Sequence, residues 1–233
     1  WPGSSTVANL TFAGGHGETA VLPPVDEVAR WVSSMRAMGY RSVRTGAVGP
    51  QVAERLEPFG FAAVQDLVLL SAEVDHAVAP ARGGPEPART RRIRVPGRRT
   101  VRRILEVDRS AFPTGWSFDA DALRDARGAT ARHGVWTATE GRDTTAFVLA
   151  GADGSTGYVQ RLAVRPAAQG RGLGTALLCR VHSWMSSHGC TTAYVNTEPE
   201  NEQALRLYRR FGYSALPYRL AVLEMDLDAG TPR

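Results

Sequence analysis

The sequence predicts an α+β protein of the α/β-like kind, with a central, mixed and mostly antiparallel sheet flanked by helices and preceded by a shorter lobe of similar order. Three observations carry that expectation. Residues 134–139, 144–150 and 157–164 run apolar or alternate, and Gly-rich turns part them, so they read as consecutive strands. Apolar residues at 173, 176, 177, 181, 184 and 185 keep the 3.6-residue rhythm of a helix with one buried face. A helix, strand, helix, strand order also recurs in the first third of the chain.

Taken in order, Val25 to Met38 reads as a helix that Gly39 stops. The stretch Val78 to Thr90, VAPARGGPEPART, is rich in Pro and Gly and poor in apolar side chains, the composition of an exposed linker. Residues 1–77 are therefore one lobe, 78–90 the linker and 91–233 the main domain. Within the main domain Arg92 to Val95 is a short strand. Thr100 to Ala111 is a helix with Val101, Ile104, Leu105 and Val107 or Asp108 along one side. Phe112-Pro113-Thr114-Gly115 turns the chain into a second helix, Phe118 to Arg127. After the three strands and the helix Leu173 to His188, Gly189 is the stop signal. Thr191 to Thr197 is a strand, and Asn201 to Phe211 is a helix with Ala204, Leu207, Tyr208 and Phe211 on one side. Leu220 to Leu227 is the last strand.

The recurrence has a register. Phe59-Gly60-Phe61 falls on Phe211-Gly212-Tyr213 at an offset of 152, which brings Leu56 onto Tyr208. Upstream the offset is 150, and Gly39 meets Gly189. Two related lobes follow from this reading. The chain opens on Trp1 rather than Met, which leads us to expect residues upstream.

Composition narrows the function classes. With 43% hydrophobic and 22% charged residues the chain has the make-up of a globular protein with a packed core. It has no apolar run of bilayer length and no signal-like opening, so a cytoplasmic address and no membrane partner are expected. Cys179 and Cys190 do not form a disulfide framework. With His182 and His188 they match no zinc spacing, so no metal is expected. The net charge is +5, and all 28 basic residues are Arg. Eight of them lie between Arg89 and Arg103, but no aromatic residues are interleaved, which favours a solvated surface over a nucleic-acid partner.

The segment Gln169-Gly170-Arg171-Gly172-Leu173-Gly174 follows a strand and opens a helix. Free backbone N–H groups and a positively polarised helix end favour phosphate there, and glycine lets phosphate oxygens approach the backbone. The spacing is not that of a dinucleotide fingerprint, and no GKS or GKT follows for a nucleoside triphosphate. About 27 residues on, Asn201, Ala204, Leu207-Tyr208 and Phe211-Gly212-Tyr213 form a second motif.

Both motifs, in this order, resemble those of the GNAT N-acetyltransferases: Gln/Arg-x-x-Gly-x-Gly/Ala, then Asn-x-x-Ala-x-x-Leu-Tyr-x-x-x-Gly-Phe. The likeness covers roughly residues 91–228, and Ile104 to Asp108 with Ala111-Phe112-Pro113 and Trp116-Ser117 resembles the first helix of ribosomal-protein N-terminal acetyltransferases. It implies the GNAT fold, preceded here by a partial and degenerate GNAT-like lobe. It also implies acetyl-coenzyme A as cosubstrate and a primary amine, on a peptide N-terminus or a small molecule, as acceptor. Backbone groups of Leu162, Ala163 and Val164 would meet the pantetheine arm. The amides of Gln169, Gly170, Arg171, Gly172, Leu173, Gly174 and Thr175 would hold pyrophosphate, and Asn201 would contact the cofactor arm. The Tyr208 hydroxyl would protonate the leaving thiolate, a transfer its ordinary acidity permits.

The position where family members often carry a basic Glu is Tyr158, and the alternative on the next strand is Asn196. Glu198, Glu200 and Glu202 follow, with surface placement expected. In the first lobe Val21-Leu22-Pro23-Pro24 stands where the loop glycines would be, and Leu56 stands where the tyrosine would be. A non-catalytic acyl-coenzyme A-binding module is the rival reading.

Overall fold

The computed structural model describes residues 7–10, 24–74, 89–93, 96–141 and 143–228. Residues 78–88 of the expected linker and Val21-Leu22-Pro23 lie outside them. The first part of the chain forms β1 (Val7–Leu10), α1 (Val25–Ala37), β2 (Ser42–Val48), α2 (Pro50–Leu56) and β3 (Ala62–Glu73). Then come β4 (Arg89–Ile93), α3 (Arg98–Ala111), α4 (Ala120–Gly128), β5 (Arg132–Glu140), β6 (Asp143–Asp153), β7 (Thr156–Val164), α5 (Leu173–Ser187), β8 (Thr192–Thr197), α6 (Glu202–Arg210) and β9 (Ser214–Asp226). The order expected after residue 91 is the order observed. No helix among the described residues is long and apolar enough to cross a membrane.

Several ends shift by a few residues from the sequence reading, the starts of β4 and β9 among them. Strand β4 starts at Arg89, and Arg89 and Thr90 pair with Thr139 and Ala138 of β5. Strand β9 starts at Ser214 instead of Leu220, because its first residues are mostly exposed and carry no apolar rhythm.

The chain divides into two compact units. One comprises Leu70–Val195 and Arg206–Ser214; the other comprises Gly3–Leu69, Asn196–Leu205 and Ala215–Arg233, as far as these are described. In the first unit β8, β7, β6, β5 and β4 lie side by side, antiparallel except for the parallel β7–β8 pair. One face packs under α3 and α4, where Ile104, Val107, Phe118 and Leu123 meet Val135, Phe147, Leu149 and Ala163. The other face lies under α5, with the Trp184 ring edge-on to Trp136 at 5.5 Å. Val135 and Trp136 are neighbours on one strand, so the two helical layers cover opposite faces.

In the second unit β1 pairs parallel with β2, and β2 pairs antiparallel with β9. Val28 and Val32 of α1 pack with Val43, Val48, Leu56, Phe61 and Leu223. At the irregularity between Arg44 and Ala47 the buried Thr45 hydroxyl accepts the Leu223 amide at 2.9 Å, replacing a ladder bond the bulge removes.

The expected recurrence has a structural counterpart. Gly39 and Gly189 follow α1 and α5 with φ of 82° and 78°, and Gly60 and Gly212 occupy the left-handed region after the next helical segment in each half. The burial rhythm of β3 returns in β9 with Leu67 matched to Leu220, one residue beyond the offset that joins the glycines.

Candidate functional site

The site is organised by one extra residue. Strand β7 pairs with β6 along its length, but Gln160 is inserted between the pairs Ala150↔Val159 and Leu149↔Arg161. On its other edge β7 pairs with β8 only from Thr156↔Thr192 to Val159↔Val195. Past the bulge, that edge of β7 has no strand partner among the described residues. The Arg165 amide donates to the Thr145 carbonyl at 2.8 Å, so alternation along the ladder turns the groups of Ala163 and Arg161 toward β6. Main-chain groups of Leu162 and Val164 therefore face the free edge. The Val164 carbonyl confirms the direction by accepting Nε2 of Gln169 at 3.3 Å.

The bulge also reverses which side chains face which layer. Gly157 lies under α5, where an added Cβ would sit 2.6 Å from the Met185 sulfur. Ala163 instead belongs to the core under α3. Alternation without an insertion would put both on one face, so Gln160 and Arg161 point the same way, toward α3 and α4. The Gln160 amide donates to the Ala126 carbonyl at 2.8 Å, and Arg161 pairs with Asp108.

After β7, the single turn Pro166–Ala168 delivers the chain to the glycine segment. Gly170 and Gly172 have φ of 76° and 78°, a region in which a Cβ is disfavoured. Gly172 caps α5 and no side chain caps it; the first intrahelical bond runs from the Ala176 amide to the Gly172 carbonyl at 2.9 Å. The amides from Gly170 to Thr175 have no acceptor among the described residues, which leaves a row of donors at the positive end of a 15-residue helix. Gly174 serves packing as well, since an added Cβ would lie 3.1 Å from Cδ2 of Leu207 on α6. Leu173 is buried, whereas Gln169 and Arg171 are exposed, with Arg171 reaching Glu140 at 3.2 Å and the Ala167 carbonyl at 3.0 Å.

Tyr208 is buried, with 5% of its surface exposed, and its ring lies 5.6 Å from that of Tyr213. Its hydroxyl has no hydrogen-bond partner among the described residues, and burial pushes its pKa well above the usual phenol value. Tyr213 is engaged differently: its hydroxyl lies 3.0 Å from Nε2 of the buried His182, whose pKa burial lowers to about 4. Asn201 stands just before α6, and its Oδ1 accepts the Ala204 amide at 3.1 Å, a helix cap that leaves its NH₂ group free to donate.

The residues at the base positions are not carboxylates in place. Tyr158 stacks on Tyr194 at 6.1 Å, and its pKa is raised, chiefly by burial and then by Asp153 and Tyr194, so it is a proton donor near neutral pH. Glu198, Glu200 and Glu202 are exposed; Glu198 accepts Nε2 of Gln65 at 2.6 Å. In the basic run, Arg92 lies 5.5 Å from the Trp136 ring centre and 5.7 Å from that of Trp184. Cys179 and Cys190 are buried free thiols whose pKa values burial raises.

A strand split from its parallel neighbour, followed by a glycine loop capping a helix, is an arrangement whose sequence can be compared with known families. The sequence model of the Acetyltransferase (GNAT) family matches residues 101–213. The chain carries a GNAT acetyltransferase domain. Solved structures agree on the fold. A tandem GNAT protein from the clavulanic acid biosynthesis pathway is 11% identical, with a TM-score of 0.62, 88% of this chain covered and 70% of that one. The GCN5-related N-acetyltransferase from Kribbella flavida is 19% identical, with a TM-score of 0.58 and coverage of 88% and 77%. That from Sphaerobacter thermophilus is 17% identical, with a TM-score of 0.56 and coverage of 89% and 67%.

Sequence reasoning missed one feature of this GNAT domain. Asp108 is completely buried, and its carboxylate accepts Nε and Nη2 of Arg161 at 2.8 and 3.0 Å and the Phe118 amide at 2.6 Å. The signal was present: a carboxylate on the apolar side of an amphipathic helix requires a partner.

Proposed function

We propose that the chain transfers acetyl from acetyl-coenzyme A to a primary amine, on a peptide N-terminus or a small molecule, by direct attack. One observation carries this reading: a strand edge at Leu162 and Val164 leads, within one short turn, to the amides at the start of α5, and neither has a partner among the described residues. The site suits a ligand that has amide groups at one end and phosphates at the other. The pantetheine arm would lengthen the sheet through Leu162 and Val164, on either side of Ala163, while Gln169 to Thr175 would hold pyrophosphate.

In the reaction the amine nitrogen forms the new C–N bond to the acetyl carbon, the C–S bond breaks and the sulfur leaves with the electron pair. Tyr208 supplies the hydrogen bond or proton that the sulfur needs, because its hydroxyl is protonated and has no partner among the described residues. The amine's surplus proton leaves to solvent. With a tyrosine at position 158, acceptors whose own pKa is low have the advantage: α-amines, near 7.7–8.0, are partly neutral at physiological pH, whereas lysine side chains, near 10.4, are almost wholly charged. The test is thiol release from acetyl-coenzyme A across a panel of small amines and N-terminal peptides. Cofactor binding with no release on any acceptor would replace this reading with that of a binding module.

A further inference from the structure

The geometry points to Arg161 as a positioning residue for acetyl transfer. It ties the segment between α3 and α4, residues 112–119, to the strand that receives the thioester, and so fixes the wall against which the acceptor amine is presented. This inference rests on the acetyl-transfer reading above.

The contacts converge on one guanidinium. Besides its two bonds to Asp108, Nη2 of Arg161 donates to the Trp116 carbonyl at 2.7 Å. Its Cζ lies over two rings of the same segment, 3.4 Å from the centre of Phe112 and 4.3 Å from that of Phe118. Asp108 completes the link by accepting the Phe118 amide. Carboxylate, carbonyl and two aromatic faces are the set that a planar five-donor fork satisfies and an ammonium does not. A buried ion pair is a weak source of stability compared with apolar packing of the same volume, so its contribution here is orientation.

Strand β7 gives that orientation a use. Leu162, whose main chain faces the free edge, is the residue after Arg161. The inserted Gln160 opens this edge and also turns Arg161 toward α3 and α4. A cofactor that runs from the edge to the start of α5 occupies the α5 side. The opposite face, with residues 112–119, is left for the amine.

Two variants test this: Arg161→Lys, and the double variant Arg161→Met with Asp108→Asn, which removes both charges and keeps an acceptor for the Phe118 amide. Deuterium exchange of residues 112–119, coenzyme A affinity by calorimetry and steady-state kinetics with glycyl-, alanyl- and seryl-hexapeptides are compared in folded full-length chains. Exchange should quicken about tenfold or more, and the peptide KM should rise by a similar factor, in the double variant, with the lysine variant intermediate. Coenzyme A affinity should stay within about threefold in both, since no cofactor contact is removed. Unchanged exchange and peptide KM would overturn the proposal, and so would a loss of coenzyme A affinity as large as the rise in KM. If the unaltered protein fails to bind coenzyme A, the acetyl-transfer reading falls, and the exchange data still decide whether Arg161 holds the segment.

Discussion

Replacing Tyr208 with Phe separates the chemical from the structural role of the residue that closes the proposed reaction. The change removes one oxygen that has no partner among the described residues and keeps a ring packed 5.6 Å from Tyr213. No hydrogen bond among the described residues is broken. With the ring and its packing kept, the variant should be about as stable as the parent. In a protein of this size a change of 1 kcal/mol moves Tm by roughly 2–4 °C, so a shift of no more than a few degrees is expected. Turnover should respond differently. Loss of a positioned general acid costs about 10²–10⁴-fold. Burial has pushed the phenol well above the thiol it serves, so the hydrogen bond counts for more than complete proton transfer, and the lower part of that range is expected. The assay is single-turnover thiol release under saturating substrates, paired with calorimetry for acetyl-coenzyme A, whose affinity should be unchanged. A chemical step slowed less than fivefold, or slowed only in proportion to lost affinity, would refute the assignment.

Gly172→Ala forces a Cβ into a residue with φ of 78°, which should cost roughly 1–2 kcal/mol in thermal or denaturant unfolding and weaken acetyl-coenzyme A binding measured by calorimetry. Stability should fall as pH drops from about 6.5 toward 4, because His182 is held neutral when folded and protonates readily when unfolded. That window corresponds to on the order of 3 kcal/mol, and His182→Gln should remove this part of the slope in urea unfolding at a series of pH values. Calorimetric titration should give one acetyl-coenzyme A per chain, and two equivalent sites would contradict the assignment of binding to residues 162–175.

What could be read from the sequence was local. The glycine loop, the Asn201 cap and the Tyr208 helix are each specified within a dozen residues, and turn and cap chemistry is a short-range property. The insertion at Gln160 is different: nothing in Val159-Gln160-Arg161 marks it, because a bulge is defined by what the neighbouring strand does. The Asp108–Arg161 pair joins residues 53 apart and depends on that bulge for its direction. Strand β9 was legible only where it is buried. Its exposed beginning, with Pro217 in it, lacks the alternation that a half-buried strand writes into its residues.

The two halves of the chain separate glycines that recur at helix ends from glycines that stand in one half alone. Gly39 and Gly189, and Gly60 and Gly212, have φ between 78° and 94° and occur in both halves, because each ends a helical segment in a conformation that other residues resist. The glycines at 170, 172 and 174 occur in one half only. At the corresponding entry to α1 stands Pro24, with φ of −58° and no N–H to offer, and its carbonyl takes the amides of Glu27 and Val28. Pro24 starts a helix as well as Gly172 does. Likewise Leu56, which the sequence offset sets on Tyr208, is fully buried at the end of α2 and carries no hydroxyl. On the proposed reading the glycines at 170, 172 and 174 and the Tyr208 hydroxyl serve acetyl transfer, whereas Pro24 and Leu56 meet the needs of helix entry and core packing without them, so the chemistry is expected from residues 91–233.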